Sequence, residues 1–274
     1  MRGDGLRLLC RSMSDNRQIA PLVELQLGVP VLGLAEDHGP HEPIPPHRHD
    51  AAQLIHAASG VMKVRTEQGL WVVPPARAVW VPSFETHAIE MSGAVELRTI
   101  YLAPEFAPAD LTQCCVVQVS PLLRAAILRA VEFGGEYSSS GPEANVAAVI
   151  RDEIRAARVA PLHLPMPSDP RALRVAEVFS HDPADRRARA EWARLAGASE
   201  RTLERLYHAE VGMSFGRWQR QVRLLRSLEL LAAGRSVTVV AIDVGFESPS
   251  AFIAMFRSAT GTTPGRYFAA PTDG

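Results

Sequence analysis

Apolar positions change their period along the chain. From residue 25 to 103 short apolar runs are cut by Gly and Pro, as in Gly60-Val-Met-Lys-Val-Arg-Thr66, the turn Glu67-Gln68-Gly69, then Leu70-Trp-Val-Val73. Runs of this length between turn residues predict β-strands. In 121–131 and again in 144–154 apolar residues recur three and four apart, which predicts two amphipathic helices. Such a pair can close one end of a β-barrel or present a dimer surface, and dimerisation is the expectation here. Four prolines at 161, 165, 167 and 170 oppose helix and sheet alike, so 161–170 reads as a linker. The expected fold class is α+β: a β-barrel domain with two helices over 20–160, the linker, and an all-α domain over 171–274.

Beyond residue 169 the strand signals stop. Arg171 to Ser180 and Glu191 to Ala196 have helical spacing, Gly197 ends the second, and Ser199 is an N-cap for a helix from Glu200 to His208. The unit then repeats, with Val237 to Val244 helical, Gly245 as the stop, Ser248 as the cap and Pro249 at the first helical position. These are two helix-turn-helix units. In the first, Leu203, Leu206 and Tyr207 share the inward face, leaving Arg201, Glu204, Arg205 and His208 outside. A helix over 215–231, spanning roughly 25 Å at about 1.5 Å per residue, separates the two units. That can set two reading heads near the roughly 34 Å between successive major-groove faces.

Charge agrees with this division. Residues 1–170 carry 14 basic and 19 acidic side chains, a net of −5, and residues 171–274 carry 15 and 11, a net of +4. An arginine-bearing C-terminal half suits nucleic acid. No apolar run approaches the roughly 18 residues of a membrane helix, and Asp4 and Arg7 interrupt any signal-peptide core. Three cysteines, Cys10, Cys114 and Cys115, argue against a disulfide framework, so a cytoplasmic protein is expected. Met13 is a second candidate start. Cys114 and Cys115 are adjacent, so on a strand they face opposite ways and are read as inert thiols.

The C-terminal hundred residues resemble the AraC-type bacterial transcription regulators. The resemblance runs through Trp192, Leu195, Ala196, Ser199, Leu203, Arg205, Leu206, Gly212, Phe215, Trp218, Ala241, Gly245, Phe246, Ser248, Phe252, Phe256, Gly261, Pro264 and Tyr267. It implies a seven-helix domain that binds double-stranded promoter DNA, with the second helix of each motif in the groove and RNA polymerase as a further candidate partner. Carried over by position, the base-facing residues are Arg201, Glu204 and Arg205 in the first motif and Ser250, Ile253 and Ala254 in the second. Ile253 and Ala254 can touch a thymine methyl but cannot hydrogen-bond a base edge, so the second head is expected to discriminate less sharply.

Upstream stands Pro45-Pro-His-Arg-His-Asp-Ala-Ala-Gln53, followed later by Pro82-Ser-Phe-Glu-Thr-His87. Side chains at 47, 49 and 53 share strand parity. This spacing resembles the cupin fold, which implies a metal or effector site made by His47, His49, Gln53 and His87 inside a small barrel that senses an effector. Two positions depart from the pattern: Gln53 replaces the commoner Glu, removing a negative charge, and Phe84 stands where glycine is usual. The alternatives are a divalent metal, an organic ligand among the histidines, or hydrogen-bonded wall residues. Imidazole-rich ligation suits Fe, Zn, Ni, Co or Cu. His56, of opposite parity, is expected outside the pocket. The rival to a DNA-binding regulator is a cupin-type metal-dependent oxygenase fused to a DNA-binding module; no catalytic residue is assigned, and a regulator is the expectation.

Overall fold

The computed structural model describes residues 21–268 other than 26, 41, 139 and 161; Cys10 and Met13 lie outside them. The described residues form two compact units, one from those up to 67 together with 73–160, the other from 68–72 together with those from 162 to 268.

The first unit contains β1 (Leu22–Val23), β2 (Val31–His38), β3 (Ile44–His49), β4 (Ala52–Ser59) and β5 (Met62–Thr66). The strand β6 (Gly69–Val73) comes next in the chain, followed by β7 (Arg77–Val81), β8 (His87–Met91), β9 (Val95–Leu102) and β10 (Cys115–Gln118). Helices α1 (Pro121–Phe133) and α2 (Pro142–Ala156) precede a short β11 (Val159–Ala160). One sheet of this unit runs β1-β3-β8-β5 and the other β11-β10-β7-β4-β9-β2. Among the described residues these strands make two sheets, the sheet-rich, cupin-like domain that was expected. In β3 Pro45 and Pro46 have no N–H to give, and only Ile44 and His47 pair with β8, across an irregularity.

Strand β4 is buried on both faces, which explains its near-continuous apolar run. Its even-numbered residues face the helices. Leu54 packs in one cluster with Val31, Trp80, Leu102, Leu123, Ile127, Ile150 and Ile154. The helix pair therefore covers the back of a sheet and does not stopper its end. Ser120 caps α1 by accepting from the Leu123 N–H at 3.0 Å, with Pro121 in the first turn.

In the second unit β6 pairs antiparallel with β12 (His163–Leu164). The expectation that the prolines exclude sheet here is thus corrected: the two strand residues lie between Pro161 and Pro165, where a missing proline N–H interrupts no ladder bond. His163 stacks on Trp71 at 3.9 Å, while Trp218 Nε1 donates to the Pro165 carbonyl and Gln221 Nε2 to that of His163. The helices are α3 (Pro170–His181), α4 (Arg189–Ala196), α5 (Glu200–Leu206), α6 (Phe215–Ala232), α7 (Val237–Asp243), α8 (Pro249–Thr260) and α9 (Pro264–Tyr267). Instead of running on to 208 as one α-helix, α5 passes into a π-helical turn, Tyr207–Val211. Gly197 and Gly245 stand at φ of 65° and 84°, the left-handed backbone that each helix-turn-helix needs at its corner. Buried aromatic residues support both motifs: Phe179, Trp192, Tyr207, Phe215 and Trp218 the first, and Phe252 and Phe256 the second.

Candidate sensor and DNA-reading sites

His47 and His49 project from β3, His87 from the start of β8, and Gln53 from β4 in the facing sheet. The structure brings all four together. The imidazole centroids lie 4.3 Å (47–87), 5.1 Å (49–87) and 5.8 Å (47–49) apart. Each Nδ1 sits against a backbone carbonyl: His47 on Pro45 at 2.9 Å, His49 on Ala51 at 2.6 Å and His87 on Glu85 at 2.9 Å. Gln53 Oε1 lies 3.0 Å from His49 Nε2 and 3.1 Å from His87 Nε2. Gln53 Nε2 donates to Thr99 Oγ1 at 2.8 Å, and the Thr99 hydroxyl donates to the Leu54 carbonyl.

With the amide oxygen of Gln53 facing the histidines, these contacts conflict for neutral rings. An imidazole carries one N–H, and each of His49 and His87 faces an acceptor at both nitrogens. Protonating both rings would satisfy them, but burial opposes it: desolvation pushes the His49 pKa down against the hydrogen bonds to Gln53 and Ala51, and desolvation first, with the neighbouring His47 next, brings that of His87 to about 3. A cation among the Nε2 atoms and Gln53 Oε1 removes the conflict, with every Nδ1–H donating to its carbonyl. That arrangement of ligand and backbone acceptor is the usual outer-sphere support of metal-binding histidines. The three histidine ligand atoms lie within 4.8 Å of one another, and among the described residues no carboxylate joins them. The donor set fits a transition metal.

His56 lies on the opposite face, its Nδ1 2.9 Å from the Arg77 carbonyl. Phe84 adopts φ of 65°, so the cupin position that favours glycine keeps its left-handed backbone here with a phenylalanine. Its N–H donates to the His49 carbonyl at 2.7 Å, tying this loop to β3. Cys114 is buried and burial raises both thiol pKa values, Cys114 and Cys115 alike.

On α5, Arg201 and Arg205 are exposed and Glu204 is half-buried; His208, one turn on, lies 3.4 Å from Glu204. On α8, Ser250, Ile253 and Ala254 line one concavity together with Arg257 and Ser258. Arg257 was missed by sequence reasoning. Spacing could have found it, since 250, 254 and 257 fall on one helical face.

A sheet-rich domain with a buried ligand-competent cluster, joined to a helical domain with two helix-turn-helix motifs, defines a ligand-responsive class of DNA-binding protein. The model of the AraC-like ligand binding domain matches residues 30–144, and that of a helix-turn-helix domain matches 192–270. The chain is 35% identical over 225 residues to the HTH-type transcriptional regulator NimR of Escherichia coli K12, covering 82% of each chain. It is also similar to the solved DNA-binding domain of AdpA, a global transcriptional factor in complex with a target DNA. That match has 33% identity over 36% of this chain and 90% of that one, with a TM-score of 0.34. The chain belongs to the AraC family of transcription regulators. It carries a ligand-binding domain followed by a DNA-binding helix-turn-helix domain. Among the described residues no helix is long and apolar enough to cross a membrane.

Proposed function

We propose that this regulator senses a divalent transition metal, of the class Fe, Zn, Ni, Co or Cu, held by Nε2 of His47, His49 and His87 and by Gln53 Oε1. The observation that carries the reading is the set of three imidazoles, each fixed at Nδ1 by a backbone carbonyl, around an amide oxygen aimed by Thr99. The site acts as a sensor and not as an oxygenase. Promoter DNA is read by Arg201, Glu204 and Arg205 in one groove segment and by Ser250, Ile253, Ala254 and Arg257 in the next, with RNA polymerase as the partner of the DNA-bound form.

The active form is a homodimer. Leu122 and Val149 are exposed apolar residues on α1 and α2 that line one shallow groove with Ala125 and Val146, and a second copy of this face would cover them. Titrating Zn(II) or Co(II) while recording operator binding tests the reading. Wild type is expected to change its DNA affinity by about 5–150-fold, the usual range of coupling, and His47→Ala/His49→Ala to keep the metal-free affinity without the change. A double variant that responds like wild type would overturn it.

A further inference from the structure

Resting on the DNA-reading assignment above, we infer that the second head recognises the C5 methyl group of a pyrimidine in the major groove. It takes thymine or 5-methylcytosine and rejects uracil and plain cytosine. The helix-turn-helix match over 192–270 contains all of α8, so DNA is the ligand, and the question is what α8 can tell apart. Phe252 and Phe256 are buried on its inward side, and Ser248 is occupied as the N-cap, accepting from the Ala251 N–H at 3.2 Å. Outside stand the exposed Ser250, Ala254, Arg257 and Ser258 and the half-buried Ile253, which line one open concavity with Thr263. Hydroxyls pair with any base and so distinguish none. The lining has no carboxylate to accept from cytosine N4 and no amide to grip adenine, and Arg257 stands in the last turn of the helix. Selection therefore falls to Ile253 and Ala254. On α5 the outward residues are instead Arg201, Glu204 and Arg205, all hydrogen-bonding groups. An apolar pair on a reading face gains only by covering apolar surface, and the pyrimidine methyl is the apolar group that the major groove offers. A purine edge against the same pair would lose water from its polar atoms and gain no partner. Covering one methyl is worth about fourfold in affinity. The second head is thus sensitive to cytosine methylation in its half-site, and the first head is not.

The test begins with selection by the full-length protein from two pools of random duplexes, one built with thymidine and one with deoxyuridine, which differ only in the C5 methyl. The thymidine pool is expected to yield two half-sites, and the deoxyuridine pool only the one whose preference Arg205→Ala relaxes. On the selected thymidine duplex, uracil for thymine in the second half-site should cost about fourfold for each contacted methyl at fixed salt. Exchanging that T·A pair for 5-methylcytosine·G should leave binding about fourfold tighter than exchanging it for C·G. Ile253→Ser/Ala254→Ser is expected to bind the thymine and uracil duplexes equally, which separates direct contact from an effect of the methyl on duplex shape. Equal wild-type affinity for the 5-methylcytosine and cytosine duplexes overturns the inference without recourse to any variant. The same two half-sites from both pools, a single half-site from the thymidine pool, or a thymine preference that survives in the double variant also overturns it, and each leaves the first head's assignment standing. Enrichment of no sequence from either pool removes the DNA-reading assignment and this inference together.

Discussion

The histidines show how one residue type takes different duties within a few ångströms. His49, His56 and His87 are all buried with pKa values pushed down by desolvation, yet two face the inner cluster and His56 faces the helices. Their titration links pH to stability with a definite sign. Near pH 6.5 the unfolded chain takes up protons that the folded chain refuses, so stability present above pH 6.5 is lost as pH falls below it. The loss is about 1.4 kcal/mol per pH unit for each such histidine, and for His87 it continues down to its folded value of about 3. Urea midpoints of the metal-free protein are therefore expected to drop between pH 7.5 and 5.5, and His56→Phe should make that drop shallower. A variant slope equal to that of wild type would show that the fold leaves the His56 pKa where the unfolded chain has it. Parity made His47, His49, Gln53 and the outward His56 legible in the sequence. Thr99 was not legible, since it lies 46 residues from Gln53 and only the β4–β9 register brings the two side chains together.

At the scale of elements, the strand and helix periods anticipated α1, α2 and the repeated helix-turn-helix units, because each has one buried stripe. What the sequence hid depends on partners. The π turn after α5 coincides with Glu210 accepting three hydrogen bonds, from the Ser168 N–H and hydroxyl and the Asp169 N–H, and nothing in local spacing announces that pull. The strand β12 was hidden among prolines for the same reason, since its ladder is completed by β6. The seating of α1 is a third case. A Cβ added at Gly33 on β2 would stand 2.5 Å from the backbone of Ala130 and Val131, so helix and sheet meet there without room for a methyl group. Gly33→Ala is expected to lower the urea-unfolding free energy by about 1–3 kcal/mol, the usual cost of overpacking. An unchanged midpoint would mean that α1 shifts freely over the sheet.

For the whole molecule the decisive arrangement is the pair of reading heads on one chain. The 18-residue α6 lies between the two motifs and spans about 27 Å at about 1.5 Å per residue. That length, with helix packing on each side, suits heads that address major-groove segments about one turn apart, roughly 10 base pairs. On the proposed reading, Arg205 is the donor of the first head, and Arg257, which lines one concavity with Ile253 and Ala254, that of the second. If each arginine contacts a guanine, either change to alanine should cost about 1–3 kcal/mol on the intact operator and relax preference in its own half-site. Inserting about five base pairs between the half-sites rotates one of them by half a turn, away from the second head. On that altered DNA, Arg205→Ala should still weaken binding, whereas Arg257→Ala should cost nothing further, because its half-site has already been lost. Gel-shift titration at fixed salt measures all four combinations. Equal losses from Arg257→Ala on both DNAs would place Arg257 on phosphate near the first head's site, and the two-turn geometry of the monomer would have to be given up.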